Sequence, residues 1–240
     1  MNIENWLLNW NEVGDIKLFI LFLFENLSLI VLSVLVGKII ESKNTILFKK
    51  DIKWILYTLL FNTIVTFSGY KLFYFGYIKF IYEISFVSIL VDLFLITIIM
   101  DVLMFVFHFF IHKIDWLFAI HKKHHSHIHT NVYSLYVLHP IEVIGFGSLW
   151  LITIWSLNFN FYSVVIYLFL NLTYGVLGHM KRDVFPVFWT NNFLTKWIST
   201  TRFHNQHHLS LNHNFGFYFT FWDKIFKTYI EEKKLPTHNS

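Results

Sequence analysis

Long apolar runs alternate with short polar segments over most of the chain. A helix needs about 17–25 mostly apolar residues to cross the hydrocarbon core of a bilayer. Three runs fall in this range, although carboxylates interrupt two of them. They are residues 18–40 with Glu25, residues 54–70, and residues 84–107 with Asp92 and Asp101. Each of these runs predicts one membrane-spanning helix.

The fourth run, residues 143–178, has 36 residues with no charge and no histidine. As one straight helix it would be about 54 Å long, against a hydrocarbon core of about 30 Å. The run therefore has to fold back, and the polar residues at 156–160 are the predicted break. The two legs either cross the bilayer or enter only part of it. The pattern predicts an all-α, polytopic membrane bundle of about four to five spans or hairpins.

The basic residues between the runs predict the topology. If residues 41–53, 108–142 and 179–240 share one side, that side carries 15 Lys and Arg residues and the other side three. Basic loops face the cytosol, so we expect the N-terminus outside and the C-terminus inside. The basic side would hold Lys43, Lys49, Lys50, Lys53, Lys113, Lys122, Lys123, Lys181, Arg182, Lys196, Arg202, Lys224, Lys227, Lys233 and Lys234; the other would hold Lys17, Lys71 and Lys79.

Composition agrees with a membrane protein. The 240 residues are 55% hydrophobic, 21% aromatic and only 14% charged, where a soluble domain carries about 25% charge. The absence of cysteine excludes a disulfide framework, a Cys-ligated metal site and thiol catalysis. The modest basic excess, 19 against 15, fits membrane topology and does not indicate nucleic-acid binding. Aromatic residues in the last 60 positions predict a cap at the membrane interface. They are Phe188, Trp189, Trp197, Phe215, Tyr218, Phe219, Trp222 and Phe226.

Histidine is the unusual component, with 14 residues that are mostly clustered. Positions i, i+3 and i+4 share one helical face, so each cluster could present its rings to a common point. On the predicted topology every cluster lies at the cytosolic end, and a single histidine after the last apolar run lies there too. The clusters are His108 and His112; His121, His124 and His125; and His204, His207 and His208; the single residue is His179.

These nine imidazoles predict a centre for two metal ions, because one ion takes three or four protein ligands in a typical zinc site. The eight cluster histidines would give each ion four ligands, and His179 would add a fifth to one of them. Imidazole suits iron, zinc and copper alike, so the ligand type leaves the metal open. A surface histidine tract that binds metal adventitiously or senses pH is the alternative for any one cluster.

Other polar residues near the clusters allow weaker predictions. Asp101 lies seven residues before His108 and either orients a ligand histidine or is a buried carboxylate satisfied by a neighbouring helix. His139 could hydrogen-bond a ligand. His127 and His129 fit surface or supporting positions better than ligation. We predict no catalytic residue beyond the metal ligands, and the substrate-binding residues cannot be identified from the pattern.

The ordered motifs between Asp101 and Thr228 resemble the fatty acid hydroxylase superfamily of membrane di-iron enzymes, which includes the sterol desaturases. DVLMFVFHFFIH (residues 101–112) is similar to the first histidine box of the family and HKKHHS (121–126) to the second. LHPIE (138–142), Gly178-His179 and HNQHH (204–208) follow in the family's order, and Asn214-Phe215-Gly216 and Phe221-Trp222-Asp223-Lys224 resemble its closing stretch.

Three positions depart from the family pattern. The fatty acid 2-hydroxylases tend to carry a histidine four residues before the one equivalent to His179, and here that position is Gly175, so a tenth ligand is unassigned. Phe109 stands where many members have arginine, and His213 where an aromatic residue is common. The closing stretch looks most like the sterol desaturase branch; a fatty acid or carotenoid hydroxylase of the same superfamily is the alternative.

The resemblance implies two iron ions, with zinc as a substitute in recombinant protein, and O2 as co-substrate for hydroxylation or desaturation of a lipid C–H bond. No glycine-rich dinucleotide fingerprint is present, so we expect electrons from a separate reductase chain and the lipid from the bilayer. The location would be the endoplasmic reticulum or the bacterial inner membrane. Residues 1–100 would be N-terminal spans, and residues 101–240 the di-metal catalytic region, in one integrated domain. A histidine-based metal or proton transporter is the rival class, but it requires ionisable residues across the bilayer, which residues 143–178 lack.

Overall fold

The computed structural model describes residues 2–41 and 45–231, and these form an all-helical bundle. Of the basic residues used above for topology, Lys43, Lys233 and Lys234 lie outside the described residues. The bundle helices are α2 (Asp15–Glu41), α3 (Lys49–Tyr74), α4 (Phe86–Lys113), α6 (Pro140–Ser156) and α7 (Phe161–Gly178). Short helices are α1 (Ile3–Asn9), α5 (Asp115–His121), α8 (Thr201–Leu209) and α9 (Phe221–Ile225), with single 3₁₀ turns at Trp10–Val13, His124–Ser126, Ser134–Tyr136, Val187–Thr190 and Thr195–Trp197.

The predicted spans are confirmed as long apolar helices. Within the described residues α2, α3, α4 and α7 are long and apolar enough to cross a membrane, whereas α6 has 17 residues and is shorter. The fold-back of the fourth run is also confirmed, since α6 ends at Ser156 and α7 begins at Phe161.

The break between α6 and α7 is held by hydrogen bonds to the segment before α4 and to its first turns. The Asn160 side chain accepts a bond from the Tyr162 amide and donates to the Glu83 carbonyl at 2.8 Å, so it begins α7 and fixes the turn at once. Asp92 accepts a 2.7 Å bond from the Asn160 amide. Asp92 on α4 thus satisfies the Asn160 amide, which lies at the start of α7 and has no partner within α7.

Close approach of α6 to its neighbours depends on two glycines. A Cβ at Gly147 would lie 2.5 Å from a methyl group of Val65 on α3, and a Cβ at Gly145 would overlap the Phe107 ring on α4. Small residues let helix backbones approach closely, which matters in lipid because apolar burial alone does not drive helices together. Gly145 and Gly147 therefore place α6 against both α3 and α4.

The bundle has two chemically different ends. At the end that we call the histidine end, α2 and α7 terminate together and the Lys181 amide donates to Glu41. Thr58 of α3 donates to the Tyr136 carbonyl there at 2.8 Å. At the opposite end Lys71 and Asp15 form an ion pair at 2.5 Å. The described parts of the segments that we predicted to share one side thus meet at the histidine end.

Residues 179–231, which we call the cap, cover the histidine end. Some of the aromatic residues predicted for the membrane interface are exposed, including Phe188 and Phe226, but Phe215 and Tyr218 are buried. Phe215 packs on histidine rings, and the Tyr218 hydroxyl donates to Asn171 of α7 at 2.7 Å. These two rings therefore attach the cap to the bundle. The largest apolar cluster combines residues from the first hundred positions and from the rest of the chain, such as Leu18 and Tyr167, and the proposed domain division stays a prediction.

Candidate metal centre

The nine predicted ligand histidines converge on the histidine end from four parts of the chain. His108 and His112 are on the last turns of α4, and His121 ends α5. His124 and His125 begin the short 3₁₀ turn that follows, and His179 directly follows α7. The remaining three, His204, His207 and His208, lie on α8.

The rings form two separate groups. Within each group the candidate ligand nitrogens all lie within 4.8 Å of one another. The five-histidine group consists of His108, His112, His121, His125 and His207, and the four-histidine group consists of His124, His179, His204 and His208. The two groups are adjacent, because the ring centroids of His125 and His208 are 4.5 Å apart.

Each H-x2-H-H cluster is divided between the two groups. The first cluster gives two rings to the five-histidine group and one to the four-histidine group, and the last cluster does the reverse. His121 and His125 belong to the five-histidine group while His124 belongs to the other; His204 and His208 belong to the four-histidine group while His207 belongs to the five-histidine group. At 3.6 residues per turn, position i+4 lies about 40° from position i, and i+3 about 60° away in the opposite sense. On α8 the rings of His204 and His208 can therefore aim at one centre and the ring of His207 at the other. The other cluster does not lie on one continuous helix, because α5 ends at His121 and a 3₁₀ turn begins at His124, so its division does not follow from this periodicity. Neither cluster presents all three rings to a common point.

The group that contains His179 also differs from our expectation, in which His179 was the fifth ligand of one ion. The larger group is made of cluster histidines alone, and His179 is the fourth member of the smaller group. His127 and His129 belong to neither group. His127 is buried and lies 3.1 Å from Asp51, whereas His129 is exposed.

Three rings of the five-histidine group are held through Nδ1. His108 donates to the Phe215 carbonyl at 3.0 Å, and His207 donates to the His213 carbonyl at 2.7 Å. His121 donates to a carboxylate oxygen of Glu142 at 2.5 Å. A ring whose Nδ1 carries the proton has its lone pair on Nε2, so these contacts leave Nε2 bare and directed at the group.

The four-histidine group has one such contact. His179 donates from Nδ1 to the Gly175 carbonyl at 3.0 Å. Its Nε2 lies 3.3 Å from Nε2 of His124 and 3.3 Å from Nε2 of His204. Nitrogens that share one ion at about 2.1 Å lie roughly 3–4 Å apart, so this spacing fits a common ion.

The buried ring nitrogens without a hydrogen-bond partner fit bound metal ions. Buried polar atoms in proteins nearly always have a partner. Several ring nitrogens of the two groups are buried without one: both nitrogens of His112, Nδ1 of His124, His125 and His208, and Nε2 of His207. A metal ion in the five-histidine group would satisfy Nε2 of His207 and one nitrogen of His112. His124, His125 and His208 meet the neighbouring histidines through Nε2, so an ion would bind those Nε2 atoms and not the unpartnered Nδ1 atoms.

Burial keeps the rings in the form that binds metal. It lowers the pKa of His179 to about 4, and burial together with the neighbouring rings lowers the pKa of His125 to about 2. The same two causes hold the pKa well below the usual range for His124, His204, His207 and His208. Neutral imidazole is the ligand form, so ion binding here does not have to displace ring protons at neutral pH.

Of the two roles predicted for Asp101, the structure does not show the orientation of a ligand histidine, because its partners among the described residues all lie at Tyr218, Phe219 and Trp222. Its carboxylate accepts bonds from the Tyr218 amide at 2.8 Å and the Trp222 indole at 2.8 Å, and a longer one from the Phe219 amide. The alternative prediction, a buried carboxylate satisfied by a neighbouring element, describes it. Asp101 joins α4 to the cap segment that carries Phe215.

His139 caps α6 instead of bonding a ligand. Its ring accepts a bond from the Ile141 amide at 3.3 Å, and Glu142 accepts one from the His139 amide at 3.0 Å. The other carboxylate oxygen of Glu142 holds His121. Glu142 is therefore a carboxylate that orients a candidate ligand, and sequence reasoning missed this role. The available signal was the capping-box spacing, with a glutamate three residues after the residue that begins a helix.

The three departures from the family pattern occupy defined places. Phe109 packs on Phe215 with ring centroids 5.4 Å apart, and His213 supplies the carbonyl that holds His207. A Cβ at Gly175 would lie 3.2 Å from Leu135. The structure thus puts a backbone carbonyl beside His179, without a tenth imidazole at position 175.

Comparison with known proteins identifies the family. A sequence model described as fatty acid hydroxylase matches residues 93–228, more than half of the chain. The chain belongs to the fatty acid hydroxylase family. Cholesterol 25-hydroxylases of Rattus norvegicus and Homo sapiens are 27% and 28% identical to it over 131 residues, which cover 53% of this chain and 43% and 47% of theirs. A Delta(7)-sterol 5(6)-desaturase of Candida albicans is 28% identical over 50% of this chain and 30% of its own.

The match to these relatives is partial. The chain spans about half, or less, of the length of the curated relatives it matches. No solved structure matches it significantly. The matched region of this fatty acid hydroxylase family member includes all nine histidines of the two groups.

Proposed function

We propose that the protein is a membrane-bound di-iron oxidoreductase that uses O2 and external electrons to hydroxylate or desaturate a C–H bond of a lipid. The observation that carries the proposal is the pair of adjacent, buried histidine groups at one end of an apolar helical bundle. Iron ions bound there would supply the activation of O2 that attack on an unactivated C–H bond requires.

This chain would hold the ions, orient the histidine rings that bind them and shield the site from water. Contacts to Nδ1 fix the rings of His108, His121 and His207, so little ring motion is needed when an ion binds. The Phe215 ring packs against the five-histidine group, with its centroid 5.3 Å from that of His112. Apolar walls of this kind limit water, which protects an oxidising site from side reactions.

The substrate class follows from the location and from the relatives. The histidine groups adjoin the ends of α4 and α7, so a lipid could reach them from the bilayer. The names of the matched relatives refer to cholesterol and to a sterol, which supports a sterol or another lipid as substrate here. Hydroxylation and desaturation both remain within the proposal, because both begin at the same C–H bond.

We also propose that the histidine end faces the cytosol and receives electrons from a separate reductase. The division of basic residues supports this orientation. Reporter fusions after Asn158 and after the C-terminus should report opposite sides of the membrane. Reporters on the same side would contradict the topology.

Metal analysis and lipid analysis together test the function. We expect two tightly held ions per chain in protein purified from the membrane, iron in the working enzyme and zinc in some preparations. Cells that express the protein should contain an oxidised lipid that is missing when His207→Ala is expressed at the same level. One ion or none in folded protein, or identical lipids in the two strains, would contradict the proposal.

A further inference from the structure

The two histidine groups differ in the number of ligands they offer. Among the described residues one group has five imidazoles and the other has four. A six-coordinate iron ion held by four imidazoles would keep two coordination positions for small molecules, and one held by five imidazoles would keep one. The four-histidine group is therefore the better candidate for the group beside which the substrate reacts.

A cleft adjoins the four-histidine group between α7 and the cap. His179 and His204 line it, and none of the residues that line it belongs to the five-histidine group. The rest of its wall is Tyr174, Gly175, Gly178, Phe185, Ser199, Thr200 and Phe217.

The polar side chains of this wall are already occupied. The Tyr174 hydroxyl donates to the Ser199 carbonyl at 2.8 Å, and the Ser199 hydroxyl donates to the Phe217 carbonyl. Thr200 accepts a bond from the Phe203 amide and so begins α8. Apart from the two histidines, the cleft thus offers a ligand mainly aromatic rings and glycine backbone, an apolar surface that suits hydrocarbon.

Two glycines keep the histidine side of the cleft free of side chains. A Cβ at Gly178 would lie 3.9 Å from the His204 ring, which is ordinary contact, so a side chain fits there but would project into the cleft. A Cβ at Gly175 would lie 3.9 Å from the Phe217 ring. A larger residue at position 178 would therefore fill space beside a candidate ligand without forcing the backbone apart.

The surroundings of the cleft are apolar and lie where α7 leaves the bundle. Shortly after Phe185 the chain exposes Val187 and Phe188, which are 64% and 61% exposed. Phe193 and Leu194 in the same segment are each 75% exposed. Exposed apolar residues of this kind at a membrane interface contact lipid.

We propose that the hydrocarbon part of a lipid enters this cleft from the bilayer and presents its reacting carbon to the four-histidine group. This inference rests on the proposed function, since it names the route to that site. The cleft is narrow as it stands, with about 20 Å³ of room, enough for about one water molecule. The rings of Phe185 and Phe217 therefore have to rotate for the lipid to enter.

Photolabelling of the metal-loaded protein tests the route. The probes are a diazirine-bearing sterol and a diazirine-bearing fatty acid, and the readout is the labelled peptide together with the extent of labelling. We expect label on the peptides that contain Tyr174 and Phe185. Gly178→Leu should reduce this labelling about tenfold. Phe185→Ala should increase it, because it removes a ring from the wall.

The matched control is Thr173→Leu, which adds the same side chain to α7 at an exposed position outside the cleft. Its labelling should equal that of the unaltered protein. Metal content is measured on each variant. If Gly178→Leu loses its ions, the labelling of Phe185→Ala decides, provided that this variant keeps its ions, because the Phe185 ring packs on the rings of Tyr174 and Trp189.

The outcomes separate the route from the function. Labelling of the cleft by either probe supports the route, and the better probe identifies the lipid class. Three results would overturn the route. They are labelling of the cleft by neither probe, labelling around Phe118 beside the five-histidine group, and unchanged labelling in both Gly178→Leu and Phe185→Ala. Cleft labelling without any oxidised product when electrons are supplied would instead count against the proposed function alone.

Discussion

The five-histidine and four-histidine groups use the same ligand but are supported differently. Three rings of the larger group are anchored, one of them by a carboxylate, and Phe215 packs over it. The smaller group has a single backbone carbonyl, that of Gly175, and adjoins a cleft. A carboxylate partner raises the basicity of the histidine that it holds. The comparison therefore predicts that both groups hold an ion, that the five-histidine group holds its ion more tightly, and that the four-histidine group leaves more coordination positions for small molecules.

Replacing a ligand in either group should have the largest effect. We expect His124→Ala, in the smaller group, and His207→Ala, in the larger, each to abolish turnover, because the chemistry proposed here requires both ions. Membrane insertion should persist, since it depends on the apolar helices. Turnover and membrane-fraction yield are the measurements.

His129→Ala is the matched control, because His129 is exposed and belongs to neither group. It should behave like the unaltered protein. Near-normal turnover of His124→Ala would show that the ligand assignment is wrong.

His179→Ala tests the smaller group by itself. It leaves three imidazoles there and removes the ring whose Nε2 lies 3.3 Å from both His124 and His204. We expect one ion per chain to be retained, in the five-histidine group, and turnover to be lost. Metal content and turnover are measured on the same sample. Two retained ions with normal turnover would place His179 outside the site.

The position of the candidate ligands could be predicted from the sequence, but their division into two groups could not. Hydropathy and charge predicted that nine histidines lie at one end of the bundle, because apolar runs of known length fix where the chain leaves the membrane. The spacing of His204, His207 and His208 shows only that the rings share a helical face. Which ring meets which ion depends on how α8 is rotated against α4, and the spacing carries no information on that rotation.

The supporting contacts were harder to predict for a related reason. Asp101 bonds Tyr218, which is 117 residues away, and a local pattern cannot identify such a partner. Glu142 is only 21 residues from His121, yet its contact requires α6 to begin beside the end of α5. The turn at 156–160 was predictable because an apolar run too long for one span has to reverse, and its polar residues mark where the chain can leave the hydrocarbon.

Glu142→Gln should reduce the difference between the two groups. The amide keeps an oxygen for the His139 cap but loses the negative charge beside His121. We expect the affinity of the five-histidine group to fall by about 10–100-fold and that of the other group to change little. Competition with a chelator, followed by metal analysis, measures the two ions separately. In the unaltered protein the four-histidine group should release its ion first.

A variant that weakens both groups equally would show that Glu142 acts on the fold and not on His121. Glu142→Ala is the comparison, because it also removes the acceptor for the His139 amide at the start of α6, a hydrogen bond that contributes about 1 kcal/mol. Thermal unfolding should therefore distinguish Ala from Gln at this position, while chelator competition should not.

Asp101→Asn is expected to have the smallest effect on metal and a clear effect on stability. Its carboxylate accepts from two backbone amides and from the Trp222 indole, and an amide group in its place would direct hydrogens toward donors. Hydrogen bonds to a buried charge contribute about 1.5–3 kcal/mol, so unfolding should become easier by about that amount. Both ions should still bind, because Asp101 contacts no histidine. The segment after Asn214 carries the carbonyl that holds His108, so any weakening should concern the five-histidine group. Loss of the ion of the four-histidine group with unchanged thermal stability would contradict this structural role.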